Sequence, residues 1–361
     1  MRVGTTTDDV RRRNLSAVLR LVHRNRTATR AELTRRTGLS RSTVKALVEE
    51  LVDAGLVEET QPECTNQVGR PSTLVRPRDR VVAVAVNPEV DAITVAAVAL
   101  GGAVLGVERV PTTAIPTVAD TVRLTARAVD TLRGRLPADS ALSAIGVAVP
   151  GVVHAPESTV RLAPHLDWHD EQIGEPLRAA TGLPVYAAND ANVGAVAEHI
   201  FGGHPDADHM VYVNGGASGI GGAFVVAGRL LEGAEGYAGE LGHTYVGGTR
   251  ACHCGAVGCL ETEVVPTDDL AELEQQARYL GIALGGAINL LNPRLVVLGG
   301  FLRTFSDHAA EALRAAVARQ SLGAARELVR IVPASLGSET LMIGAAELAF
   351  GPLLADPAGC R

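Results

Sequence analysis

The sequence predicts a small helix-turn-helix unit at the N-terminus, followed by a larger α/β body. Three observations support this prediction. The N-terminal part carries apolar side chains at helical spacing, predicted strands and helices alternate from about residue 81 onward, and the charge changes sign between the two parts. Residues 1–80 hold sixteen Arg or Lys against ten Asp or Glu, whereas the remainder holds seventeen against thirty.

Composition and charge narrow the class of protein. A basic segment on an acidic body indicates a polyanionic partner for the N-terminal part alone. With 361 residues, 47% of them hydrophobic, the chain can form more than one domain. No apolar run reaches the ~18 residues that a membrane crossing needs, and no secretory signal follows Met1. Five cysteines, mostly clustered, suit a reducing compartment. We therefore expect a cytoplasmic protein with no membrane segment.

Local signals place the two helices of the helix-turn-helix. Thr29 and Glu32 have the spacing of a capping box, which predicts a helix over about residues 30–36. Gly38 would end this helix, because glycine tolerates a positive φ. Ser40 would cap a second helix. The apolar face predicted for that second helix consists of Val44, Leu47, Val48 and Leu51.

The exposed face of the second helix predicts DNA binding. A helix over 9–25 would precede the pair, and strands at 56–59 and 73–75 would form a wing that ends in Arg70. Arginine at such a tip suits a narrow minor groove. The side chains that suit phosphates and base edges in a major groove are Arg41, Ser42, Thr43 and Lys45. We interpret residues 1–80 as a winged helix-turn-helix domain. The alternative is a helical hairpin that mediates dimerisation.

The body, predicted over 81–355 after a linker at Arg76–Arg80, alternates strands with helices in two comparable halves. Such a pattern predicts sheets covered by helices and a ligand cleft between the halves. The predicted strands are 81–86, 92–100, 104–110, 145–149, 184–188, 210–214, 220–226, 295–298 and 328–332. The predicted helices are about 117–135, one ending at 181, one ending near 200, 268–292, 306–320 and 340–350.

A dense cluster of cysteines predicts a metal site. Three of the five cysteines fall within eight residues: Cys252, Cys254 and Cys259. Three thiolates with one imidazole favour a tetrahedral, structural Zn²⁺, and Gly255 and Gly258 would let the backbone turn tightly enough. His243 and His253 are both candidates for the fourth ligand. The alternatives are unligated thiols or a disulfide.

Polar residues near this cluster predict a ligand site. Asn189 and Asp190 follow a strand and precede a helix, where α/β proteins place ligand-binding groups, although the pair is also explained as a helix cap. Glu240, His243 and Glu261 lie beside the cysteines in sequence. Carboxylates, an amide and a metal-held imidazole provide the acceptors and donors that a polyhydroxylated ligand requires.

Two turns bear on nucleotide binding. The glycine-rich turn 215–219 would either cradle a phosphate or only join two strands. Its counterpart in the first half, 85–91, has no glycine, Pro88 has no N–H to donate, and Glu89 would repel phosphate. Metal-assisted phosphoryl transfer needs positioned donors and a carboxylate for Mg²⁺. Neither is evident, so we predict that the protein is not an enzyme.

Taken together, the chain resembles the ROK family of repressors, open reading frames and sugar kinases over essentially its whole length. The motifs that carry the resemblance are Gly146 to Gly151, Asn189 to Asn192 with Glu198, Glu240 to His243, Cys252/Cys254/Cys259 with Glu261, and Asn292-Pro293 with Val296 to Gly300. The resemblance implies a two-lobed actin/hexokinase-like body, which is a ribonuclease H-like duplication. It also selects His243 over His253 as the zinc ligand. In the family, residues at the positions of Asn189, Asp190, Glu240, His243 and Glu261 contact the sugar.

The chain departs from the family kinases at the turn 85–91, where they carry an Asp-x-Gly-Gly-Thr phosphate turn. The resemblance therefore implies a sugar-responsive regulator of the repressor type that binds a double-stranded DNA operator as a homodimer or homotetramer with one structural zinc per chain. Asp190, which matches the kinases' base, would bind a sugar hydroxyl. The alternatives are a sugar kinase with a DNA-binding arm, and a regulator with a vestigial sugar site.

Overall fold

A computed structural model describes residues 7–61 and 73–359 of the chain. The first helices are α1 (Thr7–Asn25), α2 (Arg30–Thr37) and α3 (Arg41–Asp53). The first strands are β1 (Ala28–Thr29), β2 (Val57–Thr60) and β3 (Leu74–Pro77), which form an antiparallel sheet in the order β1-β3-β2. This is the predicted winged helix-turn-helix. Arg70, the predicted wing contact, lies outside the described residues.

The local signals that predicted α2 and α3 are confirmed. The Thr29 hydroxyl accepts from the Glu32 N–H at 3.1 Å, and the Glu32 carboxylate accepts from the Thr29 N–H at 2.8 Å. Gly38 has φ 71°, and the Ser40 hydroxyl accepts from the Thr43 N–H. The four apolar residues predicted to face inward on α3 are all buried. Capping and periodicity are enough to define these helices because both act within a few residues.

The predicted linker is shorter than expected. Arg76 and Pro77 belong to β3, where they pair with Glu58 and Val57. The Arg78 N–H then donates to the Leu56 carbonyl. The prediction of a linker was therefore wrong for the first two residues of this stretch. Pairing with β2 continues strand β3 through both of them.

The body is two sheets with helices packed on them. In its first half lie β4 (Val81–Pro88), β5 (Ala92–Ala99), β6 (Val104–Pro111), β7 (Ala141–Val149), β8 (Val152–His154), β9 (Thr159–Ala163), β10 (Trp168–Gln172) and β11 (Val185–Asn189). The helices of this half are α4 (Val118–Arg135), α5 (Gly174–Thr181) and α6 (Asp190–Phe201). The main sheet has the order β11-β7-β4-β5-β6, and β10-β9-β8 form a separate small sheet.

In the second half lie β12 (His209–Gly216), β13 (Gly219–Val226), β14 (Arg229–Leu230), β15 (Leu295–Gly300) and β16 (Arg330–Pro333). Its helices are α7 (Leu260–Glu263), α8 (Leu270–Leu291), α9 (Arg303–His308), α10 (Ala310–Gln320), α11 (Gly323–Arg326) and α12 (Thr340–Ala355). The sheet order is β14-β13-β12-β15-β16.

The two sheets repeat one design. The first strand of each, β4 or β12, pairs antiparallel with the next strand and parallel with a later one, β7 or β15. Both sheets end in a further parallel strand, β11 or β16. The predicted two-lobed α/β fold is therefore confirmed. No helix formed by residues 7–61 and 73–359 combines the length and the apolar composition that a membrane crossing requires.

Several features of the body differ from prediction. The short elements β14, α7 and α11 are additional to those predicted. The small sheet β8–β10 was not anticipated, because β10 (WHDEQ) is short and polar and shows no strand alternation. The helix predicted over 306–320 is two helices, α9 and α10, which are interrupted at Ala309 with φ −133° and ψ 25°. Apolar spacing continues across that break, so periodicity alone could not locate it.

The last helix, α12, returns to the first half and packs against β4, β7 and α6. Glycines permit this close approach: a Cβ at Gly344 would overlap the Val193 carbonyl on α6, and one at Gly146 would overlap the Ala345 carbonyl. The backbones of α12 and α6 are therefore in direct contact.

The winged helix-turn-helix is seated on the body through α1. The His23 ring Nε2 lies 2.8 and 3.0 Å from the two carboxylate oxygens of Glu347 on α12, and its Nδ1 accepts from the Gly101 N–H at 2.8 Å. Both side chains are at least 96% buried. The Ser16 hydroxyl also donates to the Leu354 carbonyl. Apolar residues from α1, α3 and α12 form one continuous core.

Candidate functional site

A cleft of about 260 Å³ lies between the two sheets, where β7, β11 and the β12–β13 hairpin end. All five residues predicted to bind a sugar line this cleft: Asn189, Asp190, Glu240, His243 and Glu261. The glycine-rich turn 215–219 closes one wall and joins β12 to β13 as a tight hairpin, with Gly216 paired to Gly219.

Asn189 has a structural role in addition to its place in the cleft. It caps α6, because its side-chain Oδ1 accepts from the Asn192 N–H at 3.1 Å. Its Nδ2 donates to the Gly151 carbonyl at 3.0 Å. The interpretation of Asn189 as a helix cap is therefore confirmed. An amide retains a second lone pair and a second N–H proton, so a capping Asn189 still offers hydrogen bonds to a ligand.

Asp190 is the first residue of α6 and is only partly exposed. Its Oδ1 accepts from the Ala191 N–H at 2.8 Å. Burial raises the pKa of this carboxyl to about 6, and the nearby Glu240 carboxylate acts in the same direction. Asp190 is therefore a carboxylate at neutral pH that gains a proton in mildly acidic solution.

The other three candidates surround one imidazole. Nε2 of His243 lies 4.0 Å from the Glu240 carboxylate, and Nδ1 lies 3.5 Å from Oε1 of Glu261. Desolvation in the cleft raises the pKa of the Glu240 carboxyl, and Glu261 adds to this effect while His243 opposes it. The Glu261 side chain is only 7% exposed. The arrangement presents several hydrogen-bond acceptors to one small volume, which suits a ligand with many hydroxyl groups.

Beside the cleft, one imidazole and three thiols converge. The ligand atoms of His243, Cys252, Cys254 and Cys259 lie within 4.8 Å of one another, a cluster that can hold a metal ion. The turns predicted at Gly255 and Gly258 have φ 90° and 76°.

Two distances within this cluster match those of a tetrahedral zinc shell. Sulfurs bound at ~2.3 Å to such an ion lie about 3.8 Å apart, and a sulfur and an imidazole nitrogen about 3.6 Å apart. The Cys254 and Cys259 sulfurs are 3.7 Å apart, and the Cys252 sulfur lies 3.6 Å from Nδ1 of His243. Burial raises the pKa of the Cys252 thiol, so a cation would be needed to stabilise its thiolate. The residues present fit the predicted ion.

The wall that would face a nucleotide carries a carboxylate. Glu89, in the turn between β4 and β5, lines the cleft, accepts from the Thr94 hydroxyl at 3.1 Å and lies 3.6 Å from Arg109. With Asp190, Glu240 and Glu261 it makes the cleft strongly acidic. Such a field disfavours a phosphate and favours a neutral or cationic ligand.

Comparison with known proteins is consistent with this geometry. The ROK family profile matches residues 83–266 and 267–351, which is most of the chain, and the MarR family profile matches residues 16–64. The chain belongs to the ROK family. Its MarR-type winged helix coincides with α1 to β2, so it combines a DNA-binding domain with a ROK body.

ROK regulators are similar to the chain along its whole length. It is 24% identical to the xylose repressor of Caldicellulosiruptor bescii, covering 95% of this chain and 97% of the repressor. It also superposes on a ROK family transcriptional regulator, a homologue of the Escherichia coli MLC protein, with a TM-score of 0.78 and 25% identity over 96% and 97% of the two chains. A glucokinase of Streptomyces coelicolor is 28% identical but covers only 58% of this chain and 80% of its own. The protein is a DNA-binding transcriptional regulator of this family.

In this ROK regulator the predicted DNA-contacting residues of α3 occupy its first turn and a half. Arg41, Ser42 and Lys45 are exposed, and Thr43 is partly exposed. Lys45 lies 3.6 Å from Glu49. Arg41 forms no hydrogen bond or ion pair with any residue that the structure describes, so its guanidinium is available to a partner.

The cleft contains residues that sequence reasoning did not single out, and His165 is one of them. His165, in the short turn after β9, lines the cleft. His253, considered as a fourth zinc ligand, points instead toward His165 and Glu261. No signal in the sequence indicated His165, because it lies between Pro164 and Leu166 in a stretch for which no helix or strand was predicted.

Proposed function

We propose that the chain is a sugar-responsive transcriptional repressor, in which a sugar bound in the cleft changes the affinity of the winged helix for its operator. The observation that carries this proposal is that one helix connects the two sites. Helix α6 begins in the cleft at Asp190 and ends at Phe201, which packs against α1 of the winged helix-turn-helix.

The contacts at the far end of α6 are specific. The Phe201 ring meets the His23 ring edge to face at 5.3 Å, and the Arg26 guanidinium lies 5.3 Å from the same phenyl ring. Arg24 donates to the His199 carbonyl at 3.3 Å. The second route is α12, where Leu341 lines the cleft and Glu347 holds His23. A sugar that favours one position of α6 or α12 therefore favours one position of α1.

Within the cleft, each candidate residue has a distinct part. Asp190, Glu240 and Glu261 would accept hydrogen bonds from sugar hydroxyls, and Asn189 would accept and donate. A structural Zn²⁺ held by His243, Cys252, Cys254 and Cys259 would fix the imidazole, leaving Nε2 directed at the ligand. The ion would act by ordering the segment 240–263, since four protein ligands leave it no open position.

On the DNA side, the winged helix would place α3 in a major groove with Arg41, Ser42, Thr43 and Lys45 against phosphates and bases, and Arg70 of the wing in the minor groove. We propose a homodimer or homotetramer, because two winged helices separated by a whole number of helical turns can read two half-sites of one operator.

The direct test is genomic footprinting of the protein with and without candidate sugars, followed by calorimetry with neutral, N-acetylated and phosphorylated hexoses and with xylose. The proposal expects one neutral sugar to bind and to release the protein from discrete operators. Operator binding that no sugar alters would contradict the sugar response and would support a vestigial site. Absence of any discrete operator would contradict the repressor assignment itself.

Arg41→Ala is expected to weaken operator binding by about 1–3 kcal/mol, because the arginine contributes either a base contact or a phosphate contact. Fluorescence anisotropy with an operator duplex at two salt concentrations measures both the loss and the change in salt dependence. Arg319→Ala, which removes an exposed arginine from α10 of the body, is the matched control and should bind normally. Unchanged affinity in an Arg41→Ala/Arg70→Ala double variant would refute the proposed docking.

Sugar binding should weaken by about tenfold between pH 7 and pH 5. The raised pKa of Asp190, about 6, means that the carboxylate is present above pH 6 and is lost as pH falls through 6, so an affinity that requires the ionised acceptor is lost in the same window. Calorimetry on Asp190→Asn should give weaker binding with a flatter pH profile. Asp130→Asn on exposed α4 should retain the wild-type profile. A wild-type profile in Asp190→Asn would exclude this role for Asp190.

The rival function is a sugar kinase with a DNA-binding arm. One observation favours it, namely that Asp190 has a raised pKa and stands where the family kinases hold their base. Glu89 argues against it, because its carboxylate lies on the cleft wall where phosphates would sit. We expect no ATP consumption above background with a panel of hexoses and Mg²⁺. Turnover at ~1 s⁻¹ or faster would be that of a typical enzyme and would establish the kinase.

A further inference from the structure

A second group of possible metal ligands lies on the cleft side of the thiol cluster. Ligand atoms of His165, His253 and Glu261 are within 4.8 Å of one another. Nδ1 of His253 is 3.4 Å from Oε1 of Glu261, and the two imidazole rings meet edge to face with centroids 4.7 Å apart. Three separate segments bring these groups together: the turn after β9, the loop between the cysteines, and α7.

The His165 side chain in this group has an unsatisfied ring nitrogen. Its Nε2 is buried and has no hydrogen-bond partner among the residues that the structure describes. A buried polar atom without a partner is destabilising, because it has lost its hydrogen bonds to water. An imidazole in an apolar core usually satisfies both nitrogens with protein groups. His165 instead directs its free nitrogen toward another imidazole and a carboxylate.

The electrostatic surroundings favour a cation at this place. A divalent ion with three thiolates and a neutral imidazole carries a net charge of −1, so the neighbouring cluster would attract a second cation. Glu89, Asp190 and Glu240 add further negative charge around the cleft.

Glu261 lies between the two groups of side chains. Its Oε1 is 3.2 Å from the Cys252 sulfur and 3.4 Å from Nδ1 of His253. A cation held by His165, His253 and Glu261 would therefore lie directly beside the thiol cluster.

We propose that His165, His253 and Glu261 bind a second divalent transition-metal ion of the zinc type, between the thiol cluster and the cleft. Two imidazoles and one carboxylate form a ligand set that such ions accept with coordination positions left open. Because all three residues line the cleft, open positions on such an ion would be within reach of a ligand bound there. The proposal concerns the metal alone and depends on neither DNA binding nor the sugar response.

The test is titration of the metal-free, full-length protein with Co²⁺ and with Zn²⁺. Cobalt bound by thiolates gives a charge-transfer absorption that cobalt bound by imidazole and carboxylate lacks, so the two sites are observed separately. We expect two equivalents per chain in the wild type. His253→Ala and His165→Ala should each bind one equivalent, lose at least about tenfold in affinity for the second, and keep the thiolate absorption, which also shows that the variants are folded.

His169→Ala is the matched control, because His169 is exposed on the nearby β10 and lies outside the group; it should bind two equivalents. A single equivalent in the wild type, or two in both His165→Ala and His253→Ala, would overturn the proposal. Loss of the thiolate absorption in His253→Ala would overturn it as well, because that result would assign His253 to the first ion. These outcomes are independent of any result with operator or sugar.

Discussion

His23→Ala should lower the free energy of unfolding by about 3–5 kcal/mol, which is the cost of leaving a buried charge without its partner. The substitution strands the Glu347 carboxylate in a site that is 4% exposed and also removes the acceptor of the Gly101 N–H. It further removes the ring contacts with Phe201 and Phe350. Chemical denaturation followed by circular dichroism measures the change.

Two companion variants make this test specific. Because Nδ1 of His23 accepts from Gly101, Nε2 carries the proton that Glu347 accepts. Glu347→Gln retains an acceptor for that proton and should cost far less, about 1 kcal/mol. His308→Ala removes an exposed histidine at the end of α9 and should be nearly neutral. Equal stability of His23→Ala and His308→Ala would show that the contacts between α1 and α12 contribute little to the free energy of unfolding.

The same variant bears on regulation. If α1 follows the body through His23, then His23→Ala should reduce the difference in operator affinity between sugar-free and sugar-bound protein, even under conditions where the variant remains folded. Operator titrations with and without the sugar measure this coupling directly, as a ratio of two dissociation constants. A ratio equal to that of the wild type would place the coupling in contacts that do not involve His23, such as those of Arg24 and Arg26 with the end of α6.

Cys254→Ser should abolish metal binding at the thiol cluster and weaken sugar binding by at least about tenfold, or about 1.4 kcal/mol. Without the ion, Nδ1 of His243 loses the bond that orients the ring, and the Glu240 and Glu261 carboxylates lose their fixed neighbour. Removal of metal from the wild type with a chelator should give the same loss, because metal binding and local folding are coupled.

The thiolate absorption of the cobalt form and calorimetry with the sugar provide the two measurements. Cys64→Ser changes a cysteine far from the cluster in sequence and should leave both measurements unchanged. Retention of full sugar affinity and normal operator release in Cys254→Ser, with metal demonstrably absent, would contradict the proposed role of the ion in ordering the segment 240–263.

Much of this fold could be predicted because its signals are local. The capping box at Thr29, the positive φ at Gly38 and the apolar face of α3 each depend on residues within one or two helical turns. Strand and helix positions in the body followed from periodicity for the same reason. The small sheet β8–β10 and the break at Ala309 were missed, because neither changes the local apolar pattern enough to be detected.

Part of the candidate site could likewise be predicted from the sequence, and part could not. The spacing of Cys252, Cys254 and Cys259 by itself predicted a metal cluster, since three thiols within eight residues have few other uses. The choice between His243 and His253 required either the family resemblance or the coordinates. Both histidines lie within ten residues of Cys252 in the sequence. Only the folded loop places one imidazole beside the thiols and the other beside His165.

The class of protein could therefore be predicted without coordinates: a winged helix-turn-helix on a two-lobed α/β body, with a cluster of possible metal ligands and an acidic candidate cleft. Only the tertiary structure shows which groups meet. The His23 and Glu347 side chains are 324 residues apart, and His165, in the turn after β9, meets Glu261 of α7. Such pairs leave no trace in composition or periodicity, because their contact depends on how whole helices and sheets pack rather than on any neighbouring residue.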